Sequence, residues 1–244
     1  MEAAACAAAL FDRSACKKVH GLCMPVKEAR QNGPDFGRAM FVSRIGAALK
    51  ARPLSEIFGY GVILVRNALG LPNRMPTPDR DTLEKVILPS YAARPDIKTV
   101  LFVGCAWYTH HYEQMLPGRV YWTIDPDPWK KRFGSRRHVV AGLESLDAHI
   151  APGSLDLIIC NGVFGWGLDD RADCERAFRG CFDALRPSGE LIIGWNDVLE
   201  RRPLELASLQ SLARFRPLTF GPLGSNEYLA NPENRHVYNF YAKP

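Results

Sequence analysis

Residues 99–125, TVLFVGCAWYTHHYEQMLPGRVYWTID, constrain the fold more than any other stretch. An apolar, β-branched run from Thr99 to Val103 is too short for a helix and stops at Gly104, the pattern of a strand buried in a parallel sheet. The next such run, Val120 to Ile124, ends on Asp125, 21 residues beyond Gly104. This is the spacing of a βαβ unit whose first turn approaches a nucleotide and whose second strand closes on an acid that accepts hydrogen bonds from ribose hydroxyls.

Strand and helix signals alternate through the rest of the chain. They predict a helix near 110–116, strands at 137–141 and 155–160, a helix over 170–186 capped by Asp169 or Asp170, a strand at 190–195, a helix over 203–214, and strands near 216–220 and 236–242 that pair as a hairpin. The expected fold is α/β: a doubly wound, mostly parallel seven-stranded sheet with one antiparallel strand, Rossmann-like, over residues 97–244.

Residues 1–96 read as an N-terminal helical extension. Helices are expected at 2–20 and 36–51, separated by Gly33-Pro34. The stretch 55–69 is apolar on nearly every side. It is either sandwiched within the protein or offers a greasy surface to a lipid-like substrate or a membrane surface. Three prolines between Leu71 and Pro78 make an extended linker, and Asp79 is placed to cap a helix from Arg80 to Tyr91. With 244 residues the chain buries one α/β core and carries this extension, long enough to act as a lid over the crevice at the ends of strands one and four.

The formal charge of +5 sits in the extension, since residues 1–54 hold nine Lys/Arg against four Asp/Glu while the remainder balances. A charge-neutral core with no basic stripe and interleaved aromatics argues against nucleic acid as a partner. Seven cysteines make an odd count without a CxxC pair, so neither a disulfide framework nor a zinc site is indicated, and a cytoplasmic setting is expected. An acid directly after Met1 does not fit a secretory signal, and no apolar stretch approaches the length of a membrane span.

The succession VLFVGC, YWTID, GSLDLIICNGVF and CFDALRPSGELIIGW resembles the class I S-adenosylmethionine-dependent methyltransferases, over about residues 97–197 and on towards the C-terminus. Its most telling pieces are the strand carrying Asp156 with its Gly153-Ser154 approach, and Leu185-Arg186-Pro187-Ser188-Gly189 ahead of a strand. The resemblance implies S-adenosyl-L-methionine as methyl donor and an O, N or C nucleophile on a small or medium-sized acceptor. It also implies a cofactor cradle at Gly104, Cys105, Ala106, Trp107 and Tyr108, with Asp125 on the ribose, Gly142 and Leu143 beside the adenine, and Asn161 and Gly162 after the fourth strand.

The same comparison exposes departures. Where the family has an acid before the glycine turn this chain has Phe102, and the glycine positions read Gly104, Ala106 and Tyr108. The donor's carboxylate is therefore expected on backbone N–H groups around Cys105 to Tyr108, and its amino group on the carbonyl of Gly104 or Asn161. Trp107 and Tyr108 either floor a working pocket or fill space vacated by glycines. A sulfonium methyl is already activated, so catalysis needs alignment and, for a hydroxyl acceptor, a proton acceptor. The titratable candidates at strand ends are His110, His111, Asp197 and His236. The rival reading is a binding or scaffolding protein that keeps the fold and has lost the cofactor. A dinucleotide enzyme is disfavoured because Ala106 and Thr109 break the GxGxxG pattern.

Overall fold

The computed structural model describes residues 54–244, and the helices expected at 2–20 and 36–51 lie outside them. The chain divides into two compact units, Met1–Leu69 and Gly70–Pro244. In the first, one helix is described, α1, Leu54–Ala68. The second holds the sheet and also residues 78–92, which the sequence reading assigned to the extension.

After the extended segment that follows Gly70, a helix α2 runs from Pro78–Thr82 through a π-helical stretch, Leu83–Ile87, into Leu88–Ala92. Thr77 is its N-cap, and Pro78 opens the first turn, where a missing N–H costs nothing. Asp79 is not the cap. Its side chain is buried inside the first turn, where Asn231 Nδ2 donates to Oδ1 at 3.2 Å. The buried positions 79, 80, 83, 84, 87, 88 and 91 form one stripe. Leu83, Ile87, Leu88 and Tyr91 are fully buried against the sheet, each contributing about 1.5–3 kcal/mol.

The strands are β1 Thr99–Val103, β2 Val120–Ile124, β3 Arg137–Val139, β4 Leu155–Asn161, β5 Leu185–Asn196, β6 Arg216–Pro217, β7 Glu227–Asn231 and β8 His236–Ala242. Their order is β3-β2-β1-β4-β5-β8-β6, with β7 also paired to β8. The pairs from β3 to β5 are parallel. β8 runs against β5, β6 and β7. Since β6 and β7 share the outer edge of β8, eight strands fill seven positions, and a single strand opposes the rest.

Two details depart from the sequence reading. The final hairpin is β7–β8, and β7 was not foreseen because 227–231 is short and flanked by polar residues. The helix expected over 203–214 is two isolated turns, Leu206–Ser208 and Leu212–Arg214. Leu206, Leu209, Leu212 and Phe215 are all buried at steps of three, the period of a 3₁₀ turn. The Glu175 carboxylate takes the N–H groups of Gln210 and Ser211, both at 2.8 Å, and so interrupts helical pairing there.

Between the strands, a short helix α3, Tyr112–Met115, follows β1, and α4, Arg171–Ala184, follows β4. Asp170 caps α4 by accepting from Ala172 N at 2.9 Å and Asp173 N at 3.2 Å. One apolar cluster joins α4 to one face of the sheet, and a second joins α2, Tyr112 and Phe220 to the other. The order reverses between β1 and β4, where a doubly wound sheet opens a crevice beyond its strand ends. The first turn of α2 overhangs that crevice: Arg80 Nη2 donates to Tyr108 Oη at 3.3 Å beyond β1 and lies 3.7 Å from where a Gly162 Cβ would stand beyond β4, while Tyr238 OH of β8 donates to Asp79 O at 3.0 Å.

Candidate functional site

At the end of β1, Gly104 takes φ +84°, and a side chain there would press on Val163 Cγ2 at 2.8 Å. The chain turns at once towards β2. Asp125, only 2% exposed, accepts from Cys105 N at 2.8 Å through Oδ2 and from Asp127 N at 2.9 Å through Oδ1. Lys130 Nζ lies 3.5 Å from Oδ2. Each carboxylate oxygen has two acceptor positions, so both keep capacity for a hydroxyl donor. The Cys105 thiol is pushed up to about 12 by burial, with Asp125 adding to the shift, so it is not a nucleophile at neutral pH.

The rest of the turn closes on itself. Ala106 N donates to Thr109 Oγ1 at 3.0 Å, and Thr109 N returns to Ala106 O at 3.0 Å. Trp107 and Tyr108 are half-buried and meet edge to face with centroids 5.2 Å apart. The sequence reading placed backbone donors from Cys105 to Tyr108 around an anion, but the N–H groups of Cys105 and Ala106 already have partners, so this turn is a weaker anion cradle than its position implied.

Gly142 and Leu143 stand at the end of β3. Gly142 is half-buried and receives Ser145 N and Oγ on its carbonyl, while Leu143 is in the core. A Cβ at Gly142 would overlap the Glu144 carboxylate, which folds back over this position. A carboxylate thus stands beside Gly142, carried by the residue two positions further on.

At the end of β4, Asn161 is buried and its Oδ1 lies 3.1 Å from His236 Nε2, while its Nδ2 has no partner. Burial pushes the His236 pKa down to about 4, with Asp79 opposing and Arg80 adding to the shift, so this imidazole is neutral at pH 7. Gly162 follows at φ +68°. The succeeding loop is tied down by Trp166 Nε1 donating to Asn196 Oδ1 at 3.0 Å and by the Arg201 guanidinium 3.4 Å above the Trp166 ring.

The structure brings Gly104, Cys105, Tyr108, Asp125, His111, Asn161, Gly162 and His236 to the same edge of the sheet. His110 is half-buried with an unpartnered Nδ1. Asp197 is set apart in ion pairs with Arg202 at 3.2 Å and Arg235 at 3.0 Å.

The residues that sequence reasoning missed come from α2. Arg80 is 7% exposed, its Nη2 donates to Tyr108 Oη at 3.3 Å, and its Nε and Nη1 have no hydrogen-bond partner. Asp79 Oδ2 lies 3.6 Å from Arg80 Nε. Glu84, 6% exposed, accepts from Tyr112 OH at 3.1 Å and lies 3.7 Å from His111 Nε2. Both residues occupy the core-facing stripe of α2, and charges on an apolar stripe are the signal that would have found them.

The basic run Trp129-Lys130-Lys131-Arg132 with Arg136 and Arg137 also escaped the reading. It holds no acid, interleaves Trp129 and Phe133, and is largely exposed beside β3. No helix among the described residues is long and apolar enough to cross a membrane.

This strand order, with a glycine turn after β1 and an acid closing β2, is the class I S-adenosylmethionine-dependent methyltransferase fold. The N-methyltransferase NodS from Bradyrhizobium japonicum WM9, solved in complex with S-adenosyl-L-homocysteine, matches with a TM-score of 0.52 and 14% identity over 69% of this chain and 89% of that one. A second NodS structure gives 0.51 and 14%, covering 69% and 98%. TrmN from Thermus thermophilus gives 0.51 and 17%, covering 74% and 52%. No family model and no curated protein matches the sequence.

Proposed function

We propose that this protein is an S-adenosyl-L-methionine-dependent methyltransferase acting on a small or medium-sized acceptor. The observation that carries the reading is the Asp125 carboxylate at the end of β2, folded onto the N–H of the glycine turn after β1, with the Asn161 Nδ2 unpartnered at the end of the next strand, β4. When bound, the cofactor supplies an activated sulfonium methyl. Asp125 holds the ribose hydroxyls, and Gly142, Leu143 and the folded-back Glu144 border the adenine. Gly104 and Gly162, both at positive φ, let the backbone approach closely. Of the titratable candidates, His111, whose ring nitrogens make no hydrogen bond although Nε2 lies 3.7 Å from Glu84, is the one assigned to accept a proton from a hydroxyl acceptor. His236 positions Asn161, and Asp197 positions the loop after β5. A crevice overhung by α2 favours an enclosed acceptor over an extended polymer.

Isothermal titration with S-adenosylhomocysteine tests the reading. Saturable binding to the wild type is expected, weakened at least about tenfold, or about 1.4 kcal/mol, by Asp125→Asn, which keeps the shape and changes the acceptor. Absence of binding to the wild type would favour the scaffolding alternative. A second expectation concerns the aromatic pair. Because Trp107 is only half-buried, Trp107→Ala should cost the empty protein less than the roughly 3–5 kcal/mol of a fully buried ring while weakening the ligand. Thermal melts with and without S-adenosylhomocysteine separate the two effects by mass action. A strongly destabilised variant beside a wild type that does not shift would mean that the rings are packing filler.

A further inference from the structure

Arg80 is the most unusual group in the molecule outside the cradle. Its charge is met by Asp79 Oδ2 at 3.6 Å from Nε and by the Tyr108 ring, whose centroid lies 4.6 Å away, yet Nε and Nη1 make no hydrogen bond, which buried donors seldom leave unmade. Its Nη2 reaches Tyr108 Oη, and it lies 3.7 Å from where a Gly162 Cβ would stand, so it faces the gap between the ends of β1 and β4. One turn on, within the π-helical stretch that adds a residue to the turn, Glu84 is buried with its carboxylate on Tyr112 OH. Such single-turn insertions often re-aim side chains at functional sites. The Tyr112 ring packs edge-on to Phe102 with centroids 5.3 Å apart. Phe102 stands at the position where the acid is missing, so Tyr112 links that position to Glu84.

A buried cation with spare donors and, one helical turn away, a buried anion whose other cation is the largely exposed Arg74, its Nε 3.4 Å from Oε2, match the two charges of an α-amino acid. We infer that α2 supplies the clamp for the amino-acid end of the cofactor, with Arg80 on the carboxylate and Glu84 on the ammonium group, replacing the acid lost at Phe102. This rests on the cofactor reading above. A planar guanidinium binds a carboxylate through two parallel hydrogen bonds, which a lysine in its place does not reproduce. Asp79, bonded to Asn231 and close to Arg80, orients the guanidinium. This assignment differs from the expectation of backbone N–H groups for the carboxylate and the carbonyl of Gly104 or Asn161 for the amino group.

The experiment compares two ligands by isothermal titration calorimetry on the full chain: S-adenosylhomocysteine, and 5′-methylthioadenosine, which shares the nucleoside and thioether but lacks the amino-acid end. The wild type should bind S-adenosylhomocysteine at least about tenfold more tightly. Arg80→Lys and the near-isosteric Glu84→Gln should each erase most of that preference while leaving 5′-methylthioadenosine affinity within about twofold. Equal affinity of the wild type for both ligands overturns the clamp without needing any variant. So does a variant that weakens both ligands alike, or neither, and in these cases the cofactor reading survives. If the wild type binds neither ligand, the cofactor reading fails and the clamp fails with it.

Discussion

Asp156→Ala should lower the stability of the folded chain by about 1.5–3 kcal/mol, the worth of hydrogen bonds to a charged group, since it leaves two backbone N–H groups and the part-exposed Arg186 without their acceptor. Asp156 is 9% exposed and holds three elements at once. Its Oδ2 accepts from Lys98 N at 2.8 Å and Thr99 N at 2.7 Å, where β1 begins, and its Oδ1 pairs with Arg186 at the start of β5. Burial works against the charge, but Arg186 and the two backbone donors outweigh it and hold the carboxyl below the usual aspartate range. A carboxyl whose pKa is lower in the folded than in the unfolded chain contributes stability that is fully present above the unfolded value, about 3.9. That contribution is lost as the pH falls through the lower, folded value. Urea melts of wild type and Asp156→Asn should therefore differ most near neutral pH and converge in acid. A gap that stays constant from pH 7 to pH 3 would mean that the charge of Asp156 is not what holds the strands together.

Asp156 also shows what was readable in the sequence and what was not. Its place in a GSLD approach to an apolar strand marked the fold by resemblance, while its three partners lie 57, 58 and 30 residues away in the chain and leave no local trace. The sheet was legible because β1, most of β4 and the second half of β5 are buried on both faces and contain the apolar runs 100–103, 157–160 and 191–195. β7 was not, because an outer strand need satisfy only one apolar face. The run Leu206, Leu209, Leu212 passed for a helix because a period of three lies close to 3.6, and only the Glu175 carboxylate, from α4, decides between them.

In the site, the glycine turn and Asp125 were visible from spacing alone. Arg80 and Glu84 were hidden by a boundary: with 1–96 set aside as an extension, the stripe on which they sit was not compared with the crevice. Their meaning depends on where α2 packs, which is tertiary information. The stripe nonetheless held a local contradiction, three charges, Asp79, Arg80 and Glu84, among Leu83, Ile87, Leu88 and Tyr91, and such conflicts between pattern and burial tend to mark function.

Gly194→Ala is expected to damage stability and ligand binding together, through one rung of the sheet. On that rung Gly194 of β5 lies between Asn161 of β4 and Tyr238 of β8. A Cβ added at Gly194 would overlap Asn161 Oδ1 and stand 2.7 Å from Tyr238 Cε1. Both neighbours are buried and neither is a flexible surface side chain, so the strain falls on the core, at about 1–3 kcal/mol for overpacking. Displacing the Asn161 amide also breaks its contact with His236 and withdraws it from the crevice. S-adenosylhomocysteine affinity should then fall by about tenfold or more. A double variant separates the two losses. In Gly194→Ala with Asn161→Ala the overlapping amide is gone, so stability should exceed the sum of the single effects, as residues in contact couple in this way. Affinity should not recover, because the amide that meets the ligand is absent. Recovery of both quantities in the double variant would show that Asn161 packs the rung and takes no part in binding.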